Sequence, residues 1–133
     1  MVYQSAQMSF SVAQTDIQPV QSIELKLVDS RHEASGFLLG RYRSTDEWGA
    51  ICSNEWDDRD ARVACRHLGF RDSICLQNVR RGSSGTVPNS TFLWAVGCYG
   101  HETKLSECEL VPGNNITCPS VAYIECVAGL YIP

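Results

Sequence analysis

The seven cysteines of this 133-residue chain constrain its fold more than any other feature. They are Cys52, Cys65, Cys75, Cys98, Cys108, Cys118 and Cys126. No two of them form a C-x-x-C pair, and no two histidines have zinc-finger spacing, so the pattern does not indicate a metal site. Dispersed cysteines indicate disulfides and therefore an oxidising, extracellular compartment. Glycosylation sequons at Asn89 and Asn115 agree with that compartment.

Length and composition are those of a single globular domain. The chain is 44% hydrophobic, which is sufficient for a core. No run approaches the roughly 18 apolar residues of a membrane span, so we expect no direct membrane insertion. The net charge of −4, without a basic run, argues against nucleic-acid binding. The first residues lack a basic segment followed by an apolar one, so an exported protein of this sequence would be part of a longer chain.

Alternating apolar residues and turn residues divide the chain into short strands and loops. We interpret residues 1–22 as a linker or flexible arm, 23–127 as the domain and 128–133 as a C-terminal tail. Strands are predicted at 22–29, 37–43, 47–53, 73–77, 91–98 and 121–127. Loops are predicted at 78–90 and 109–120, with a single helical turn at 101–108. With one main helix, this organisation indicates a small, loop-rich α+β fold.

The stretch EWDDRDARVACRHLGF predicts that main helix, over residues 58–68. Asp57 is a good N-cap and Asp60 lies at N3, in a short form of the capping box. One apolar stripe follows the i, i+3, i+4, i+7 rule, namely Ala61, Ala64, Cys65 and Leu68. Gly69 suits the left-handed position that ends a helix. Cys65 therefore faces the core, where a thiol is a poor nucleophile but a good disulfide partner.

Several motifs together resemble the scavenger receptor cysteine-rich domain. They are WGAIC followed by WDDRDARVACRHLGF, with LKLVD upstream and GCYGHETKLSEC downstream, and they span about residues 23–127. The resemblance implies a small, curved, antiparallel-rich sheet that cradles one main helix and is stabilised by disulfides. It also implies the six-cysteine pairing Cys52–Cys118, Cys65–Cys126 and Cys98–Cys108.

Cys75 lies outside the pattern that the resemblance implies, so we expect it to be unpaired. The alternation in DSICLQ sets Cys75 opposite in facing to Ile74 and Leu76. If those two face the core, Cys75 is partly exposed and could pair between chains. The alternative is a quiet, half-buried thiol.

The sequence does not indicate an enzyme. Serine, histidine and aspartate are all present, but no G-x-S-x-G motif or comparable nucleophile setting occurs. The adjacent carboxylates Asp57 and Asp58 are better explained by helix capping. The isolated histidines are more often surface or satisfied core residues than ligands, and they are His32, His67 and His101. We therefore expect neither catalytic residues nor a cofactor.

Domains of the resembled family bind proteins, polyanions and microbial surfaces in secreted or membrane-bound mosaic proteins. The resemblance implies a non-catalytic ligand-binding module of a receptor-like protein, beside neighbouring domains of a longer chain. The alternative is a structural or regulatory accessory domain of a secreted or membrane-anchored enzyme such as a serine protease. The predicted ligand-binding residues are Arg71, Arg80 and Arg81, with Arg41 and Arg43 as further candidates. The competing interpretation is a set of solvated loop arginines.

Many members of the resembled family bind calcium through clustered acids, two of which follow the cysteine that matches Cys52. Ser53 and Asn54 occupy those positions here, and Trp94 and Ala95 replace the acids expected before Cys98. Calcium takes six to eight oxygens, normally with several carboxylates. We therefore predict no calcium at that position. Candidates for a displaced, weaker site are Asn54, Glu55, Asp57, Asp58 and Glu102.

Overall fold

A computed structural model describes residues 22–29, 33–73, 79–80, 87–114 and 116–130. Within these residues the chain forms one α-helix, one short 3-10 helix and eight strands. The helix α1 spans Asp58–His67 and the 3-10 helix spans Leu105–Glu107. The strands are β1 Glu24–Val28, β2 Ser35–Arg41, β3 Gly49–Ile51, β4 Phe70–Ser73, β5 Val79–Arg80, β6 Thr91–Gly97, β7 Glu109–Pro112 and β8 Val121–Leu130.

All eight strands belong to one open, curved, mixed sheet. Its main order is β4-β8-β2-β3-β6-β7, with β1 added to β2 and β5 added to β8. Every strand pair is antiparallel except β3 with β6. A single helix against a largely antiparallel sheet confirms the predicted α+β class.

The helix begins and ends within one residue of the prediction because its signals are local. The Asp57 carboxylate accepts the backbone N–H groups of Arg59 and Asp60, and the Asp60 carboxylate accepts the N–H of Asp57. Gly69 follows the C-cap Leu68 with a φ of +96°, a conformation that side chains with a Cβ rarely adopt.

Apolar side chains pack on both faces of the sheet. The larger core lies between the sheet and α1, and its members from the sheet include Leu38, Ile51, Leu93, Val96 and Ile124. A smaller cluster forms separately from alternate positions of the same strands: Phe37, Leu39, Ala50, Val121 and Tyr123. The period of two along β2, in which Leu38 joins one cluster and its neighbours the other, explains how a short strand serves two cores.

Three disulfides connect the helix, the sheet and the late loops. They join Cys52 to Cys118, Cys65 to Cys126 and Cys98 to Cys108, the same pairs that the family resemblance implies. The first two close chain separations of 66 and 61 residues. In the chain-entropy treatment, each disulfide that closes a loop of that size stabilises the folded state by roughly 4 kcal/mol. These cysteines therefore serve the fold.

The edges of the sheet differ from the sequence prediction. β5 and β7 form inside segments predicted as the loops 78–90 and 109–120. β4 begins at Phe70, earlier than the strand predicted at 73–77, most of which lies outside the described residues. These edge strands are short, and they form because β6 and β8 offer them a partner. β8 itself extends to Leu130, so residues 128–130 belong to the sheet.

Candidate functional site

Asp60 is a buried carboxylate with a structural task. Only 1% of the residue is exposed. Its Oδ2 accepts the N–H of Asp57, and its Oδ1 accepts the N–H of Cys98 at 2.9 Å. Burial raises the pKa of Asp60 to about 6, although these backbone hydrogen bonds oppose the increase. Asp60 thus ties the start of α1 to the end of β6.

His67 is likewise a satisfied core residue. Its Nε2 lies 2.9 Å from the carbonyl oxygen of Ile23, and its Nδ1 accepts the N–H of Leu105 at 3.0 Å. This arrangement requires the proton on Nε2. Burial lowers the pKa of His67, which favours the neutral ring. With Lys104, the ring borders a hollow of about 160 Å³, but both ring nitrogens are already engaged.

The two positions after Cys52, where the family resemblance implies calcium-binding acids, hold Ser53 and Asn54, and Ser53 contacts Ser120 from the loop before β8. The Ser53 and Ser120 hydroxyls form a hydrogen bond, and the Ser53 N–H donates to the Ser120 carbonyl at 3.1 Å. Asn54 and Glu55 are exposed in the turn that follows. A hydroxyl and an amide in place of two carboxylates bind calcium weakly. The absence of calcium at this position remains a prediction.

The candidates for a displaced calcium site have other partners. Asp57 caps α1, Asp58 lies in its first turn, and Glu102 accepts backbone N–H groups. Possible ligand atoms of Cys98, Glu102 and Cys108 lie within 4.8 Å of one another. The two sulfurs are bonded to each other, however, so they are not available as thiolates.

Arg41 and Arg43 already have acidic partners. Arg41 Nε lies 2.8 Å from a carboxylate oxygen of Glu24, and its guanidinium lies 4.1 Å from the ring centroid of Trp48. Arg43 pairs with Asp46 at 3.4 Å. These charges are partly neutralised, which does not favour a polyanion site at this edge.

The structure does not bring Arg71 and Arg80 together. Arg80, in β5, pairs with Val121 of β8, whereas the residue after Arg71 pairs with Val127. Six residues of strand at about 3.3 Å each separate these positions by about 20 Å or more along β8. Arg71 is exposed. The backbones of the two arginines therefore lie apart on the sheet.

Of the two predicted glycosylation sites, only Asn89 lies within the described residues. Asn89 is exposed at the start of the segment leading into β6, as a glycosylation site requires. The remaining predictions concern residues outside the part of the chain that the structure describes: His32, Cys75, Arg81 and Asn115.

The most distinctive surface feature is the segment Cys98–Glu102, which we call the aromatic loop. Three consecutive backbone N–H groups of this loop donate to carboxylates. Cys98 donates to Asp60, while Tyr99 and Gly100 donate to the two oxygens of Glu102 at 3.0 and 2.9 Å. Burial acts to raise the pKa of Glu102, but these N–H groups outweigh it and lower the pKa. The loop backbone is therefore held by charge-assisted hydrogen bonds.

Further contacts fix the same loop from the side of α1. Arg66 Nη1 donates to the carbonyl oxygens of Gly100 and Glu102 at 2.7 and 3.2 Å. Gly100 has a φ of +113°, and a methyl group there would lie 3.4 Å from Arg59 Cγ. The disulfide of Cys98 anchors the start of the loop. A loop restrained by so many interactions has one dominant backbone conformation.

The restrained backbone presents two rings to solvent. Tyr99 is 77% exposed, against 47% for Val111 and 46% for Ile116, the other exposed large hydrophobic residues of the described chain. His101 is also exposed, and the two ring centroids are 6.0 Å apart with an interplanar angle of 24°. Tyr99 was not among the site residues predicted from the sequence. A tyrosine between a cysteine and a glycine in a turn was the available signal.

Comparison with known proteins agrees with the fold of the described residues. A family model described as "Scavenger receptor cysteine-rich domain" matches residues 28–127, which is most of the chain. The chain belongs to the scavenger receptor cysteine-rich family. Its solved relatives include the third such domain of murine neurotrypsin, with a TM-score of 0.60 and 25% identity, over 79% of this chain and 96% of that one.

Curated relatives of this scavenger receptor cysteine-rich domain include receptor-like proteins. Galectin-3-binding protein of Pongo abelii is 34% identical over 69% of this chain and 15% of its own length. Macrophage receptor MARCO of Mus musculus is 37% identical over 55% of this chain and 13% of its own length. The chain thus spans a small part of the relatives it matches. In the described residues, no helix reaches the length and hydropathy needed to cross a bilayer.

Proposed function

We propose that this domain is a non-catalytic, extracellular ligand-binding module of a receptor-like protein, and that its ligand is a protein. The observation that carries the proposal is the aromatic loop, in which a fixed backbone holds Tyr99 in water. An exposed, rigid aromatic ring loses little conformational entropy when a partner covers it. Tyrosine is also among the residues that contribute most to protein interfaces.

The titratable groups of the described core support the absence of catalysis. Asp60 and His67 each bind backbone groups of a neighbouring element, and Glu102 binds backbone groups of its own loop. These hydrogen bonds account for each of the three groups without a catalytic role. The three disulfides support an oxidising, extracellular location.

A protein ligand is favoured over a polyanion because four described arginines each form an ion pair with an acidic residue. Arg41, Arg43, Arg59 and Arg62 each lie within 3.4 Å of a carboxylate oxygen. Polyanion binding depends on clustered, unneutralised cations and weakens steeply with salt. A mainly aromatic contact keeps most of its affinity as salt rises.

A binding screen tests the proposal. The disulfide-intact domain, displayed as a tetramer, is incubated with an array of purified extracellular domains and with immobilised dextran sulfate. Binding is read at about 0.15 M and about 0.5 M NaCl, where screening lengths differ markedly. We expect binding to a small number of the protein domains that persists at the higher salt. Binding to dextran sulfate alone, lost at the higher salt, or no binding at all, would contradict the proposal.

A further inference from the structure

We infer that Tyr99, His101 and Arg59 form one contact surface for a protein that presents a carboxylate beside an apolar recess. This inference rests on the proposed function and assigns it a place and a partner chemistry. The surface lies where the aromatic loop passes along the exposed side of α1.

Tyr99 supplies the apolar anchor of this surface. Its ring is 77% exposed, while its own N–H and that of the next residue are bound to Glu102. His101 stacks alongside it at 6.0 Å and widens the flat aromatic face. A ring that projects from a fixed backbone fits a recess in a partner.

Arg59 supplies the charged neighbour. Its aliphatic Cγ packs toward Gly100, so its side chain borders the loop. Its Nη2 donates to Asp57 at 2.9 Å, and 61% of the side chain is exposed. Among the described residues, no acceptor is found for its Nε and Nη1 groups. Because a guanidinium has five donors arranged as a fork, Arg59 can bind a second carboxylate while keeping Asp57.

The charge distribution around the loop selects one carboxylate from the partner. Asp60 and Glu102, the acids that bind the loop, are buried and direct their oxygens at backbone N–H groups. Arg59 and Arg62 lie outside them, and each keeps one acidic partner. Arg59 is therefore the exposed cation that borders the loop, and its remaining donors can bind one further carboxylate. Such a surface complements a single acid next to apolar atoms, and it lacks the excess charge that a polyanion requires.

Four variants of the full chain test this surface against any extracellular domain that the array identifies. They are Tyr99→Ala, Tyr99→Phe, Arg59→Ala and, as a matched control, Ile116→Ala. Ile116 is 46% exposed in a different loop. Surface plasmon resonance gives the dissociation constant of each. We expect Tyr99→Ala to weaken binding about thirtyfold and Arg59→Ala about tenfold. Tyr99→Phe, which keeps the ring, should lose less than fivefold, and Ile116→Ala less than twofold.

The outcomes separate the two proposals. If no array member binds the wild-type chain, the proposed function fails and the contact surface fails with it. If the wild type binds and Tyr99→Ala stays within twofold of it, the contact surface is wrong while the proposed function stands. Equal losses in Tyr99→Ala and Ile116→Ala would also overturn it. The unfolding midpoint of each variant should match the wild type, because the substituted side chains are exposed.

Discussion

Ionisation of the buried Asp60 carboxylate should lower the stability of this domain at neutral pH. This carboxylate is 1% exposed, yet it is the group that connects the N-terminus of α1 to Cys98 and so to the aromatic loop. The informative perturbation is Asp60→Asn, which keeps the shape of the side chain and removes its ability to titrate.

The size of the effect follows from the two pKa values. The pKa of Asp60 is about 6 in the folded chain, against a value of 3.8 for an unperturbed aspartate. A difference of about two pKa units corresponds to about 3 kcal/mol in the free energy of unfolding. Since the folded pKa is raised, the folded state binds the proton more tightly than the unfolded state. The contribution of Asp60 to stability therefore increases as the pH falls from about 7 to about 4.

Urea unfolding of the disulfide-intact domain measures this contribution, with wild type and Asp60→Asn compared at each pH. Subtracting the variant removes the contributions of the titrating groups that do not interact with Asp60. We expect wild type to gain up to about 3 kcal/mol relative to the variant between pH 7 and pH 4. A difference that is constant with pH, or that changes in the opposite direction, would refute the raised pKa and the buried position on which it depends.

Three further predictions concern other sites. His67 should titrate below its ordinary 6.5 by NMR, and its contribution to stability should be complete above pH 6.5 and lost as the pH falls through the lowered pKa, because a protonated Nδ1 cannot accept from Leu105. Calorimetry with calcium should detect no site with a dissociation constant at or below the millimolar range. Binding of that affinity that disappears in Asn54→Ala would contradict this prediction. Expression through a secretory pathway should add a glycan at the exposed Asn89, seen as a mass shift that Asn89→Gln removes.

The parts of the fold that sequence reasoning predicted are those with local causes. The bounds of α1 depend on Asp57, Asp60 and Gly69, which lie within or next to the helix. β2 and β3 are buried along almost their whole length because the sheet has a core on each face. The family resemblance supplied the cysteine pairs, which no local pattern could have chosen among alternatives.

The features that sequence reasoning missed depend on contacts between distant residues. β7 has the sequence ELVP and forms only because it pairs with β6. The second role of Asp60, as acceptor for Cys98, spans 38 residues. Arg41 pairs with Glu24, which lies 17 residues away in the sequence. No local pattern indicates that the charge of Arg41 is neutralised by this residue. The exposure of Tyr99 likewise follows from how the aromatic loop is held, which is a property of the assembled fold.

Hydroxyl-radical footprinting of Tyr99 tests the central claim, that the aromatic loop is the ligand-contacting surface, most directly. Because the ring is 77% exposed, it should be oxidised rapidly in the free domain, whereas Tyr123, at 5%, should react slowly. With a saturating protein ligand from the array, we predict a severalfold slower oxidation of Tyr99 and unchanged rates at Val111 and Ile116. An unchanged rate at Tyr99, with protection at Val111 or Ile116 instead, would contradict the account.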